Sequence, residues 1–228
     1  MKHWKFRTDR KTKILLISGA LGCWLFVLAS IIAGRFHIDY NPVRHPLSSL
    51  ALGEYGWLQV ANFILLGLLT LGFAIGLRRA LLPSKDSFWG GLVMGVVAIG
   101  LVGTGIFITD PEYGYPVNVP LILAPVTLPG YLHELFSLII FLGLPVACFI
   151  LRHRFQVIHE PGWARYSGFT GIAVLITFVL AGMGFKQFPH VADFAGVYQR
   201  ISITLGSIWI TLLASHLVKT RSNKRKHV

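Results

Sequence analysis

The sequence predicts an all-α fold, a polytopic transmembrane bundle of six helices, and two observations carry that prediction. Of the 228 residues, 54% are hydrophobic and only 13% are charged, whereas about a quarter of the residues in a soluble domain are charged. The apolar residues also fall into six long runs, each close to the roughly 20 residues that a helix needs to cross a bilayer. A chain with this composition and pattern belongs in a membrane.

The six runs are predicted spans of a single integral membrane domain, residues 1–228. A basic segment precedes the first run, as it does in a signal peptide. The run is longer than a typical signal-peptide core and further spans follow it, so we interpret it as an uncleaved first helix. The predicted spans lie near residues 14–34, 55–77, 87–109, 132–151, 166–185 and 200–218.

The distribution of basic residues predicts the orientation of the bundle. Lys and Arg concentrate at both termini and in the second and fourth connections between spans, while the other three connections hold few of them and most of the acidic residues. Because Lys and Arg are enriched on the cytoplasmic side of membrane proteins, both termini are predicted to be cytoplasmic. The expected location is the cell inner (plasma) membrane. The connections expected to face outside are 35–54, 110–134 and 186–200.

The formal net charge of +12 does not indicate a nucleic-acid-binding protein. Such proteins gather Lys and Arg on one face, whereas here these residues mark the ends of the spans. Membrane lipids are the expected partners, with a second copy of the chain as a further candidate. Cys23 and Cys148 each lie inside an apolar run without CxxC or CxxH spacing, which favours small buried side chains over a disulfide or a thiolate metal site. The sequence identifies neither a cofactor nor a metal.

The proline-rich stretch 107–137 is the longest connection without helical periodicity, and it holds ionisable residues at both ends. Asp110 stands at its entrance, and His133 and Glu134 stand at its exit. Proline-locked backbone between two apolar runs predicts a semi-rigid cap over the bundle, and a charge at such a mouth is a candidate functional group. We expect the polar residues of the three outward-facing connections to converge on one outward-facing pocket.

Four phrases of the sequence resemble a known family. They are residues 40–53 (YNPVRHPLSSLALG), residues 105–111 (GIFITDP), His133-Glu134 and Gln199-Arg200. In order and spacing they are similar to a six-span family of bacteria and archaea catalogued as domain of unknown function 998, although Ile108 stands where the family pattern often has proline. The resemblance runs from the first span to the sixth. It implies six helices and an outer polar cluster, and it implies no established reaction.

The candidate catalytic residues are His45, Ser48, Asp110 and His133. His45 is a candidate base for Ser48 as nucleophile. The alternative, which we favour, is that Ser48 or Ser49 caps a short helix that leads into the second span. Asp110 is a candidate general base, metal ligand or orienter of a histidine, and its alternative is an N-cap with Pro111 at the first helical position. His133 would complete a zinc site with His45 and Asp110, but without HExxH spacing a hydrogen-bonded interfacial histidine is favoured.

The candidate ligand-binding residues are Arg200, Tyr40, Arg44 and Glu134. The planar fork of donors on Arg200 suits a lipid phosphate. The alternatives are an ion pair with Asp110, Glu134 or Asp193, or a side chain that snorkels to the membrane interface, and we favour the ion pair.

Two functions from different classes remain open. The first is an integral membrane protein that binds a lipid or small amphiphile in an outward-facing polar pocket. The second is a membrane-embedded lipid hydrolase or transferase in which Asp110 and His133 act as acid and base or as metal ligands. In that enzyme His45 assists and Arg200 holds phosphate. We favour the binder, because no catalytic spacing in the sequence is strong.

Overall fold

The computed structural model describes residues 8–81, 84–112, 114–116 and 126–219. This part of the chain forms six long α-helices and two short 3₁₀-helices, Leu47–Ala51 and Ala192–Phe194, and it contains no β-strand. Each of the six is long and apolar enough to cross a membrane. The prediction of an all-α fold with six transmembrane helices is therefore confirmed. The helices are α1 Arg10–Phe36, α2 Gly56–Ala80, α3 Lys85–Ile106, α4 Leu128–Val157, α5 Pro161–Phe185 and α6 Ala195–Lys219.

Most helices run past the predicted spans, because a helix continues through charged residues until its cap. In α4 the first turn is capped by Thr127, whose hydroxyl accepts a hydrogen bond from the Gly130 N–H at 3.1 Å, and the helix ends at Val157. Its 30 residues correspond to about 45 Å, more than the roughly 30 Å of hydrocarbon in a bilayer. α4 is therefore long enough for its ends to reach beyond the lipid tails.

The helices run alternately up and down, so the connections gather at two ends of the bundle. We call the end that carries residues 37–55, 107–112, 114–116 and 186–194 the cap end. The opposite end, where α1 begins and α6 ends, is the termini end. Each helix packs against its neighbours in the chain and α1 also packs against α6, so the helices close into a ring. That the termini end faces the cell interior stays a prediction from the charge pattern.

Glycines let α2 approach its two neighbours closely. A Cβ placed on Gly76 of α2 would lie 2.9 Å from the Leu15 Cβ of α1. A Cβ placed on Gly91 of α3 would lie 2.8 Å from the Arg78 Cβ of α2. Such close approach matters in a membrane, because lipid tails give helices no hydrophobic reason to associate and packing must hold them together.

The outward surface of the ring is apolar on every helix. On a soluble protein a surface of this extent would mark an interface or an aggregation hazard. Around a six-helix membrane bundle it is the surface that lipid tails contact. Large apolar side chains exposed on it include Ile14, Leu68, Ile99, Leu138, Phe169 and Leu212.

Candidate functional site

Arg200 joins the first cap connection, residues 37–55, to α6. Its Nη1 donates to the backbone carbonyls of His45, at 3.1 Å, and Gly196, at 2.9 Å. Its Nη2 donates to the Tyr40 hydroxyl, which itself donates to the Pro46 carbonyl at 3.1 Å. The guanidinium carbon also lies 5.7 Å from the centre of the Tyr40 ring. The Arg200 side chain is therefore committed to contacts inside the cap.

Further contacts reinforce this junction between the first cap connection and α6. The Leu47 N–H donates to Gln199 Oε1 at 2.8 Å. The Val197 N–H donates to the Val43 carbonyl at 3.1 Å. A Cβ added to Gly196 would lie 2.6 Å from a carbonyl oxygen of the connection, so only glycine fits there. The connection and the first turns of α6 thus pack as one unit.

Arg200 forms no ion pair with a carboxylate in the described chain, so the alternative favoured from the sequence gives way to hydrogen bonds. The positions of the acidic residues explain why they do not pair with Arg200. Asp193 pairs with Arg44 instead, at 3.4 Å, and their side chains are 71% and 41% exposed. Glu134 is exposed on the outside of α4. A pair as exposed as that of Arg44 and Asp193 contributes at most about 1 kcal/mol.

Tyr40, His45 and Tyr115 form an aromatic cluster in the cap, with ring centres 5.3 to 5.8 Å apart. His45 is buried, and its Nδ1 accepts a hydrogen bond from the Asn41 N–H at 3.0 Å. The lone pair that a general base would use at Nδ1 is therefore occupied. Burial raises the pKa of Tyr40 and the pKa of Tyr115, while the nearby Arg200 opposes the rise at Tyr40. Both phenols stay neutral at physiological pH.

Asp110 lies over the first turn of α4. Its Oδ1 accepts a hydrogen bond from the Thr127 hydroxyl at 2.6 Å, and its Oδ2 accepts one from the Thr127 N–H at 2.9 Å. A Cβ on Gly130 would collide with the carboxylate. Because a helix dipole stabilises negative charge at its N-terminus, Asp110 caps α4 from a separate segment. The expected alternative, a helix beginning at Pro111, does not form.

His133 is buried in the second turn of α4, with 1% of its surface exposed. Its Nδ1 lies 2.7 Å from the Phe107 carbonyl oxygen. Because a carbonyl only accepts, Nδ1 carries a proton, and Nε2 is the unprotonated nitrogen of the neutral ring. The ring also packs edge-on against Phe63, with centres 6.3 Å apart. This geometry agrees with the favoured interpretation of a hydrogen-bonded histidine.

A central cavity of about 100 Å³ lies inside the ring, below the 3₁₀-helix Leu47–Ala51. Ser48 and His133 both line it, so two of the four candidate catalytic residues share one cavity. The 3₁₀-helix has Pro46 as its N-cap and no side-chain capping bond, so the alternative role of Ser48 as a cap is not observed. Most of the lining is apolar, and its polar members are Ser48, Thr70, Thr104, His133, Ser137, Gln199, Ser202 and Ser207.

The candidate residues are distributed over four places. Two line the cavity, three make the contacts of the cap, one caps α4, and Arg44 and Glu134 lie near or on the surface. Within the described ranges, no group of three or more His, Cys, Asp or Glu is placed to hold a metal ion. Sequence reasoning passed over Gln199 and Tyr115. The adjacency of Gln199 to Arg200 was an available signal, whereas nothing in the sequence distinguished Tyr115.

Comparison with models of protein families identifies the family of this chain. The model of the family described as protein of unknown function (DUF998) matches residues 20–216. The chain belongs to the DUF998 family. The match takes in parts of all six helices of this DUF998 protein, together with its cap and central cavity, and it confirms the resemblance found in the sequence. Neither the comparison with curated proteins nor that with solved structures gives a match.

Proposed function

We propose that this DUF998 protein binds a short segment of the apolar chain of a lipid or small amphiphile in its central cavity. The observation that carries this proposal is the cavity itself, about 100 Å³ with a mostly apolar lining beneath the cap. Apolar cavities in proteins stay dry and take up apolar guests. With the cap end outside, as the charge pattern predicts, the ligand would come from the outer leaflet of the plasma membrane.

Selectivity in such a cavity would rest on its polar groups. A ligand that moves from lipid tails into an apolar cavity exchanges one apolar environment for another, so it gains little from the hydrophobic effect. Ser48, His133 and Gln199 line the part of the cavity next to the cap. A hydrogen bond to any of them would contribute about 0.5 to 1.5 kcal/mol, enough to favour one amphiphile over bulk lipid.

Filling the cavity tests the proposal, and α6 offers a matched pair of isoleucines. Ile203 lines the cavity, whereas Ile201, two residues earlier, is 41% exposed. We expect Ile203→Phe to weaken binding of a fluorescent 16-carbon fatty acid by about tenfold, because the added ring occupies the space of the guest. Ile201→Phe should bind within about twofold of the original protein. Equal binding by both variants in detergent titrations would contradict the proposal.

The alternative function is a membrane-embedded lipid hydrolase or transferase. It is supported by the presence of Ser48 and His133 in the lining of the same cavity. A serine nucleophile needs a base with an unprotonated nitrogen, which Nε2 of His133 supplies while Nδ1 donates to Phe107. In this version the Phe107 carbonyl orients His133, and Asp110 takes no part. We expect Ser48→Ala and His133→Gln to abolish hydrolysis of a fluorogenic phospholipid by the purified protein. Turnover that persists in both variants would rule the enzyme out.

A further inference from the structure

A second concave site lies at the termini end, between the last turns of α4 and the first turn of α5. Its volume is about 450 Å³. It is separate from the central cavity and independent of the function proposed for that cavity. The residues that line it are Arg152, Gln156, His159, Pro161, Ala164 and Arg165.

The polar side chains of this pocket are rich in hydrogen-bond donors. Two guanidinium groups, one imidazole and one amide line it, and no carboxylate does. Neither Arg152 nor Arg165 takes part in any ion pair between described residues. Glu160, in the turn beside the pocket, has its carboxylate 3.4 Å from His216 on α6. Among the described residues, no carboxylate therefore forms an ion pair with the two guanidinium groups of the pocket.

The start of α5 adds backbone donors to the pocket. Pro161 occupies the first position of the helix, and the N-cap residue, Glu160, makes no side-chain capping bond. The N–H groups of Gly162 and Trp163 belong to the first turn, which has no acceptor within the helix. No atom lies within 4 Å of a Cβ placed on Gly162, so the approach to this turn is open. The helix dipole directs partial positive charge to the same place.

The fold sets the position of two residues of the pocket. Arg152 lies across Gly168 of α5, where a Cβ would be 2.9 Å from its Cδ. His159 ends α4 in the left-handed conformation, with φ of 56°, which an L-residue other than glycine rarely adopts. The Glu160 N–H donates to the Phe155 carbonyl at 2.8 Å and closes this turn. The imidazole is thus set beside the pocket at a backbone position that favours glycine.

We propose that this pocket binds a phosphate group, and that the phosphate belongs to the head group of an anionic phospholipid. Unpaired guanidinium groups at a helix N-terminus form the chemistry that recognises phosphate oxygens. The site lies between the ends of two helices long enough to cross the membrane, which is the depth of lipid head groups. Basic pockets between transmembrane helices on the cytoplasmic side suit such head groups. Free phosphate shares this chemistry, and the experiment separates the two sources.

The test uses the full chain in detergent micelles and phosphatidylglycerol with a fluorescent acyl chain as the probe. We expect the double variant Arg152→Gln/Arg165→Gln to bind the probe at least about tenfold more weakly, since each guanidinium supplies charge-assisted hydrogen bonds. The matched control is Arg79→Gln, an exposed arginine at the same end of the bundle but outside the pocket. That control should bind within about twofold of the original chain. An equal loss in both variants would overturn the proposal.

Competition identifies the source of the phosphate. Displacement of the probe by unlabelled phosphatidylglycerol, with little displacement by phosphatidylcholine or by millimolar inorganic phosphate, supports the anionic lipid. Displacement by inorganic phosphate as effective as that by the lipid would overturn the assignment to a lipid. Absence of saturable binding of the probe and of inorganic phosphate alike would overturn the site itself.

His159→Gly separates binding from folding. Glycine suits the left-handed turn better than histidine, so the variant should unfold at the same temperature or higher. The loss of the imidazole should nonetheless weaken binding of the probe about two- to fivefold. A variant that keeps full affinity would remove His159 from the site, and one that unfolds earlier would contradict the backbone argument.

Discussion

Arg200 in the cap and the two arginines of the termini-end pocket are used in opposite ways. In the cap, Arg200 directs its Nη groups to carbonyls of the chain and to Tyr40. At the termini end, Arg152 and Arg165 line an open pocket without an ion pair among the described residues. An arginine has five N–H donors, so its role depends on how many of them form hydrogen bonds within the protein. The sequence offered phosphate binding as a candidate role for Arg200 and favoured an ion pair, whereas its contacts are hydrogen bonds that join the cap to α6.

The largest effect expected from this comparison is the difference between Arg200→Ala and Arg165→Ala. Arg200→Ala removes hydrogen bonds that join the first cap connection to α6, so it should lower the free energy of unfolding by about 2 to 4 kcal/mol. Arg165→Ala should change it by less than about 0.5 kcal/mol. Both values can be measured by denaturant titration in detergent. Similar losses of unfolding free energy in the two variants would contradict the different roles assigned to these two arginines.

Asp110→Asn tests whether the cap is one network or two. The loss of negative charge over the first turn of α4 should lower the free energy of unfolding by about 1 kcal/mol. Because Asp110 bonds to Thr127 while Arg200 bonds to Tyr40 and to carbonyls, the double variant with Arg200→Ala should show additive losses within about 0.5 kcal/mol. A larger interaction energy in this double-mutant cycle would join the two residues in one network.

Tyr40→Phe tests the cap through pH. Burial raises the pKa of Tyr40 above its ordinary value of 10.0, so the folded state favours the neutral phenol. The stability from this group is complete below pH 10 and is lost as pH rises through the higher folded pKa. The variant should be about 1 kcal/mol less stable at pH 8 and should lose less stability above pH 10. Identical slopes of unfolding temperature against pH would contradict the role given to this phenol.

The smallest expected effect comes from Gly168→Ala at the termini end. The new methyl group would displace Arg152 without changing its charge. Alanine favours a helix, so stability should fall by no more than about 0.5 kcal/mol. Binding of fluorescent phosphatidylglycerol should weaken about two- to threefold, less than after loss of the guanidinium. Unchanged binding would mean that the position of Arg152 against α5 is not needed.

Several features of the fold could be read from the chain. Long apolar runs must form helices in a membrane, because a backbone in lipid has to satisfy its own hydrogen bonds. The six runs therefore predicted six helices. The limits of α4 were underestimated, because the predicted span of 132–151 ended before the charged Arg152, whereas the helix runs from Leu128 to Val157. The N-cap at Thr127, rather than the nearest charge, fixes where this helix begins.

The candidate site was less predictable, because its contacts join residues far apart in the chain. Arg200 and His45 are separated by 155 positions, and Asp110 and Thr127 by 17. The sequence identified most of the polar residues involved but not their partners. It also gave little weight to the pocket of Arg152 and Arg165, since basic residues at helix ends are expected in any membrane protein.

The sequence by itself determined that this chain forms six membrane-crossing helices with most polar groups at their ends. A segment that crosses lipid must be free of charge and about 20 residues long, and both properties can be read directly from a stretch of sequence. Only the tertiary structure decided that His133 and Ser48 line one cavity, that Arg200 forms hydrogen bonds inside the cap, and that two arginines at the termini end line a pocket without an ion pair among the described residues. The physical reason is that a donor's partner is set by which helices pack together, and packing depends on contacts between distant segments.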